Sequence, residues 1–320
     1  MVDLSPLGST SLGIWRRTDA LAVQTPGRIR GRLGSGEWRS PLRGLYCDGG
    51  YELSAEQWAC AAGLVSGPGA VACGRSAARV WGLPLINDSD PATRRNERFR
   101  HEVSSKGGYG RLLMPPAAGD PRGHEVRRHR LTMAPGDVLQ HPGGFLITSP
   151  LRTVVDAPGL LGHEAAVCLL DAALHRRLVS LSDLDHAAKA RVGTAGSRAL
   201  QRALTAADGR AESALETLGR LLLLPVLPGL VPQVTLRNYE GDVVARFDLA
   251  DKLVKLAFEG DGKRGHVGEQ MVAKDRHRDR TSEAFGWHTE RMTWWDVRRQ
   301  PDALVARATA QYLRLAARAS

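Results

Sequence analysis

The side chains with the greatest capacity for chemistry are three carboxylates close together late in the chain, Asp248, Glu259 and Asp261. Val243 to Leu249 has the alternation of a strand and carries Asp248 near its end. Leu253 to Glu259 reads as the neighbouring strand, followed by Gly260-Asp261-Gly262. Strand side chains alternate between faces, so Lys255, Ala257, Glu259 and Asp261 share one face if the strand extends that far. Acidic groups gathered at adjacent strand ends repel one another, and such a cluster needs a raised pKa or a compensating cation. A hard cation such as Mg²⁺ or Mn²⁺ takes carboxylate oxygens and keeps part of its water shell. A cation held there could activate water and stabilise a phosphodiester under attack. The competing reading is that strand ends expose carboxylates routinely and that Glu259-Gly260-Asp261-Gly262 is a polar turn; spacing alone favours that one.

The elements that must position these groups begin at about Arg210. Ala211 to Leu224 is an apolar-periodic helix with Glu212 and Glu216 one turn apart on one face. Gln233 to Arg237 reads as a strand, and Asn238 to Asp242 as a glycine-containing hairpin turn into the strand of Asp248. A helix over Glu269 to Phe285, a strand over Trp287 to Met292 and a helix over Pro301 to Leu315 complete the order helix, three strands, helix, strand, helix.

Upstream, turn clusters divide the chain near Pro84 and Asp208, and the polar segment Asn87 to Asn96 reads as a junction. Thr25-Pro26 is a helix start, because Thr caps orphan amides and Pro fits the first helical position. The helix of Arg28 to Leu33 stops at Gly34 to Gly36, and Glu37 to Tyr46 follows as a strand pair turning near Pro41. Helix then hairpin is the winged-helix pattern. Arg28, Arg30, Arg32, Arg39 and Arg43 lie along it with only Glu37 in opposition. They are candidate DNA contacts, with the helix in a groove and the hairpin on phosphates; a solvated basic face is the equally weighted alternative. Ser54 and Gln57 form a capping box for a helix through Val65, and a further helix spans Arg75 to Trp81. Trp58 and Trp81 are expected in packing. Glu97 to Val103, His124 to Arg130 and Phe145 to Thr148 are short strands. Helices are expected from Ser149-Pro150 and over His163 to Arg177, Leu181 to Ala190 and Ser197 to Ala207. His101, His124, His129 and His141 fall at irregular spacing in this middle region and define no catalytic constellation.

The bulk numbers suit this picture. The 320 residues are 42% hydrophobic and carry a net charge of +10, which attracts polyanions through counterion release. The four cysteines, Cys47, Cys60, Cys73 and Cys168, have no CxxC spacing and no adjacent histidine pair. That disfavours zinc and points to buried thiols in a reducing compartment. With neither a signal-peptide pattern nor an apolar run of spanning length, the expected location is the cytoplasm.

The joint order of the C-terminal motifs resembles the endonuclease-like domains related to very-short-patch repair nucleases, within the PD-(D/E)XK superfamily. The residues that carry the resemblance are Ala211-Glu212-Ser213 with Glu216, Arg246-Phe247-Asp248-Leu249-Ala250 and Phe258-Glu259-Gly260-Asp261-Gly262-Lys263. Lys274-Asp275-Arg276 with Arg280, Gly286-Trp287 and Thr293-Trp294-Trp295-Asp296-Val297 complete it. Thr148 to Asp156 resembles a segment of actinobacterial proteins with that domain. The region ending in Gly44-Leu45-Tyr46 resembles the winged-helix domain of abortive-infection type IV antitoxins.

The first resemblance implies that Asp248 and Glu259 bind the metal, with Asp261 beside them, and that Glu216 supports the site. Asp275 and Arg276 would lie on the following helix, near the site or the substrate phosphate, with Arg276 and Arg280 as candidate DNA contacts. Asp261 stands where the superfamily places a lysine, which leaves Lys263 or His266 to supply positive charge. A retained fold without catalysis is the alternative. The expected architecture is therefore a multi-domain α+β and α/β chain: a winged-helix-like DNA-binding module at 1–84, a mixed middle region at 85–208, and a restriction-endonuclease-like domain with a central mixed sheet at 209–320. The expected function is a Mg²⁺-dependent DNA endonuclease or nickase. The alternative is an antitoxin-like DNA-binding regulator with a degenerate nuclease domain. DNA is the expected partner, with a cognate toxin or a second copy of the chain as further options.

Overall fold

The computed structural model describes residues 12–86, 100–104, 125–261 and 281–319. The described residues form a mixed α/β protein with three small sheets. Its contacts separate it into two units, residues 1–166 with 178–201 and residues 167–177 with 202–320.

The first unit opens with β1 (Ile14–Arg16), α1 (Arg17–Val23) and α2 (Pro26–Gly34), followed by β2 (Trp38–Arg39) and β3 (Leu45–Asp48). The start of α2 follows from its sequence: Thr25 is the N-cap, its hydroxyl accepts from the Arg28 amide, and Pro26 occupies the first turn. The three strands form one antiparallel sheet with β3 in the centre. Its side chains close a core of Trp15, Ala20, Ile29, Trp38 and Tyr46, in which Trp15 meets Trp38 edge-on at 5.1 Å between ring centroids. Just past β3, Gly49 makes a close backbone approach to the residues before β2: its amide donates to Glu37 O, and a Cβ there would sit 1.9 Å from Gly36 O.

Next come α3 (Ala55–Ser66), with the Ser54/Gln57 capping box, β4 (Val71–Ala72) and α4 (Gly74–Val80). Strand β4 pairs antiparallel with β5 (Arg100–Ser104) and parallel with β8 (Leu146–Thr148). With β6 (Glu125–His129) and β7 (Val138–Gln140) they form a mixed sheet in the order β6-β5-β4-β8-β7. Strands on both sides of the division expected near Pro84 thus share one sheet. Segment 87–96, read as a junction, lies outside the described residues, as does His124.

The segment Thr148 to Asp156 has a structural explanation. Ser149 caps α5 (Pro150–Asp156) by accepting from the Arg152 amide. The buried hydroxyls of Thr148 and Thr153 bond at 2.7 Å. Arg152 donates to Asp156, Asp137 and the Thr132 carbonyl at 2.7–2.8 Å, and Arg191 pairs with the other oxygen of Asp156. Trp81 donates its indole N–H to Thr148 O. Helices α6 (His163–His175), α7 (Leu181–Ala190) and α8 (Ser197–Ala206) follow.

The second unit contains the end of α6, then α9 (Ala214–Leu223) and strands β9 (Val231–Arg237), β10 (Val243–Asp251), β11 (Leu256–Asp261) and β12 (His288–Thr293). Helices α10 (Trp294–Arg299) and α11 (Pro301–Ala319) close it. Strands β9, β10 and β11 form an antiparallel meander, and β12 adds parallel to β11, giving the order β12-β11-β10-β9. The expected strand start at Leu253 is not observed. Asp251 Oδ1 accepts from the Leu253 and Val254 amides, and Lys255 takes a positive φ of 54°. The carboxylate thus makes a tight turn, and the strand begins at Leu256. Lys255 consequently leaves the face assigned to it and donates to the Phe285 carbonyl. All four cysteines are buried thiols outside any disulfide, as small apolar side chains would be. Among the described residues no helix is long and apolar enough to cross a membrane.

Candidate active site

The carboxylates are carried by β10, β11 and α9. The β10–β11 ladder ends at the pair Leu249–Phe258, and Asp248 and Glu259 are the next positions on the two adjacent strands. Asp248 Oδ2 accepts from the Gly260 amide at 2.8 Å, which ties the side chain to the end of β11. Glu259 is buried at 8% exposure.

Helix α9 packs over the sheet, most closely at Gly219. A Cβ on Gly260 would meet Leu215 at 3.4 Å and Asp248 Oδ2 at 3.6 Å, and a Cβ on Gly219 would lie 2.4 Å from Met292 Sδ of β12. Ser213 caps the helix by accepting from the Glu216 amide. Glu216 is buried, and its Oε2 accepts from the Glu212 amide and from Gln233 Nε2, both at 2.9 Å. Burial pushes the Glu216 carboxyl above the usual range and the neighbouring Asp248 charge pushes the same way, while these hydrogen bonds oppose the rise. Glu212 instead turns outward to Arg246, at 2.8 Å.

Asp248 therefore lies within electrostatic reach of Glu216 and one strand away from Glu259. Asp261 is the last residue of β11, in register with Thr293 of β12, and is half-buried. Among the described residues no three His, Cys, Asp or Glu side chains gather as one ion would require, so Asp248, Glu259 and Asp261 do not close round a single point. A site of two carboxylates is still sufficient for Mg²⁺, which keeps most of its water and often takes only one or two protein carboxylates. Asp248 and Glu259 are the pair whose donor chemistry fits. Lys263, His266, Asp275, Arg276 and Arg280 lie outside the described residues.

The basic residues of the first unit divide into two groups. Arg28, Arg30 and Arg43 are exposed. Arg32 lies over the Trp38 ring, 4.9 Å from its centroid, and pairs with Glu37 at 3.5 Å. Arg39 donates to the Tyr51 carbonyl. The last two therefore serve the module's own packing. Two residues that sequence reasoning passed over matter for geometry. Gln233, with φ 55°, holds Glu216 in place. Asp171 of α6 holds α9 itself: it accepts from Thr217 Oγ1 at 2.8 Å and Arg220 Nη2 at 2.9 Å. Nothing in the local sequence around either marks it. The Thr293-Trp294-Trp295-Asp296 run is a capping box, legible from its Thr-x-x-Asp spacing: Asp296 accepts from the Thr293 amide and hydroxyl, and Thr293 accepts from the Asp296 amide.

No family model matches the chain. Two proteins of Mycobacterium tuberculosis are similar to it: uncharacterized protein MT2308, of strain CDC 1551 / Oshkosh, and uncharacterized protein Rv2248, of strain ATCC 25618 / H37Rv. Each is 33% identical over 175 residues, 54% of this chain. The match spans 64% of the length of these relatives.

Proposed function

We propose that the second unit is a PD-(D/E)XK-type, metal-dependent DNA endonuclease or nickase resembling the very-short-patch repair nucleases. The observation that carries this reading is the juxtaposition of Asp248 with Glu259 across adjacent strands, and of Asp248 with the buried Glu216, whose proton affinity the Asp248 charge helps to raise. A helix carboxylate beside two strand carboxylates is unfavourable in a structural role, because like charges are brought together away from water. Asp248 and Glu259 would hold Mg²⁺ or Mn²⁺, which supplies an activated water and neutralises charge on a phosphodiester. The Gly260 amide fixes the rotamer of Asp248. Gln233 and the Glu212 amide fix Glu216, whose carboxyl pKa the Asp248 charge helps to raise. The test is relaxation of supercoiled plasmid. Nicking should need Mg²⁺ or Mn²⁺, stop on chelation and disappear in Asp248→Asn. Nicking that survives in Asp248→Asn would remove this site from the chemistry.

A second reading is favoured by the first unit. The sequence α2, β2, β3 with Arg28, Arg30 and Arg43 exposed suits a winged-helix module like that of type IV abortive-infection antitoxins. In a regulator of that kind the second unit would bind without cutting. Salt-sensitive binding to the promoter of its own gene, with no metal-dependent nicking, would select this reading over the first.

A further inference from the structure

The C-terminal helices carry charge that neither reading uses. From Arg298 onward the charged side chains are Arg298, Arg299, Arg307, Arg314 and Arg318 against Asp302 alone. On α11, residues 307, 314 and 318 are separated by seven and four positions, so at 100° per residue they fall within about 40° of one line along the helix. Arg307 shows where that line points. Its guanidinium pairs with Glu290 of β12 at 3.2 Å and with Asp296 of α10 at 3.8 Å. Arg314 and Arg318 continue the same line about 10 and 16 Å farther along the helix, both exposed. On α10, which Arg307 touches, Arg298 and Arg299 are exposed, and Trp295, one turn earlier on the same side, is 61% exposed.

Four exposed arginines and an exposed indole on two adjoining helices match a polyanion that also offers flat rings. An anionic lipid surface is a poorer match. A helix lying on a membrane needs a continuous apolar face to bury in it; on α11 Leu304 and Ala308 are buried inside the protein, and a single exposed leucine, Leu313, is left outside. Thr293, the N-cap of α10, is in register with Asp261 at the end of β11. Trp295 is two residues farther on, which keeps it within about 12 Å of that strand end. We infer that Trp295, Arg298, Arg299, Arg314 and Arg318 form a nucleic-acid-binding surface. The arginines contact successive phosphates and Trp295 stacks on a base or sugar beside the carboxylate site. This rests on the reading of the second unit as a nucleic-acid-binding domain and extends it to residues outside the carboxylate cluster.

The experiment is equilibrium binding of the full-length protein to a fluorescent DNA oligonucleotide in EDTA, over a range of salt concentrations. The comparison is with a variant carrying Arg298→Gln, Arg299→Gln, Arg314→Gln and Arg318→Gln. The slope of log K against log salt should fall in magnitude by about 3 in the variant, since each phosphate contact contributes about 0.7–0.9. Trp295→Ala should weaken binding about 5- to 150-fold with the slope kept, and Trp295→Phe should recover most of that loss. Unchanged slope in the fourfold variant overturns the proposal, as does absence of binding by the wild-type protein. Capture of phosphatidylserine vesicles that depends on the same arginines, without DNA binding, also overturns it and assigns the surface to lipid. Exposed substitutions should leave the thermal melt of the fold unchanged. Plasmid nicking by the fourfold variant and by Asp248→Asn separates the two ideas. If nicking is lost in Asp248→Asn while the salt slope is unaltered in the fourfold variant, only the surface is wrong. If DNA binding depends on the arginines but no metal-dependent nicking occurs, only the hydrolytic reading is wrong.

Discussion

Arg220→Met should destabilise the second unit severely, because it strips the counter-charge from a carboxylate with almost no access to water. Asp171 is 1% exposed. It accepts from the Asp208 amide at 2.8 Å, the Gly209 amide at 3.3 Å, Thr217 Oγ1 at 2.8 Å and Arg220 Nη2 at 2.9 Å. Removing one partner of a buried ion pair typically costs about 3–5 kcal/mol. Three neutral donors survive in Arg220→Met, which places the expected loss near the lower end, about 3 kcal/mol. Asp171→Ala should cost more, since all four donors then lose their acceptor. With a urea dependence of about 1–3 kcal/mol per molar, a 3 kcal/mol loss moves the midpoint down by about 1–3 M. Urea titration read by hydrogen exchange of peptides from β10 and β11 reports on this unit. A loss under about 1 kcal/mol in both variants would refute the view that the Asp171–Arg220 pair holds α6 to α9.

Three further outcomes follow from other parts of the structure. Glu216→Gln should stabilise the protein at neutral pH and progressively less as pH falls. The folded-state pKa of Glu216 is raised, so its protonated form contributes stability that is present below the unfolded-state value and lost as pH rises through the folded one. The gain at pH 7 should be about 1.4 kcal/mol for each unit by which that pKa is raised, read from urea melts at several pH values, and a pH-independent difference would contradict the assignment. Gly49→Ala should lower stability by at least about 1–3 kcal/mol in a thermal melt, because the new methyl meets the Gly36 carbonyl, which is backbone and has no rotamer to escape through. Gln24 is buried with neither amide atom hydrogen-bonded, so Gln24→Met should raise stability by about 1–3 kcal/mol; a loss on calorimetry would mean the amide has a role in the fold.

Much of the local structure was legible because short-range signals determine it. Thr25-Pro26, Ser54 with Gln57, and Ser149-Pro150 each begin a helix where capping chemistry says one should begin. Asn238 to Asp242 forms its hairpin, with Asn238 Oδ1 accepting from the Glu240 and Asp242 amides. The missed elements are those whose stability comes from distant partners. Strands β1 and β4 are three and two residues long, too short for a period to show, and exist because β3, β5 and β8 pair with them. Strand β11 starts late because Asp251 competes for the Leu253 and Val254 amides, a side-chain-to-backbone contest that hydrophobic alternation does not register. The adjacency of the strands bearing Asp248 and Glu259 was legible from the hairpin and strand pattern. The hold of Gln233 on Glu216 and of Asp171 on α9 did not, since each joins residues far apart in sequence.

The strand order of the second sheet also has a kinetic meaning. Strands β9, β10 and β11 are sequential antiparallel neighbours whose contacts close short loops, so the ribbon bearing Asp248 and Glu259 can form quickly. Strand β12 must return parallel beside β11, which demands closure of the whole 262–287 connection. Asp171 leaves the ribosome well before Arg220 and stays hydrated until α9 arrives. Folding of this unit should therefore show a rapid ribbon phase and a slower docking phase. Met292, which lies against Gly219 of α9, is the side chain whose burial marks the second.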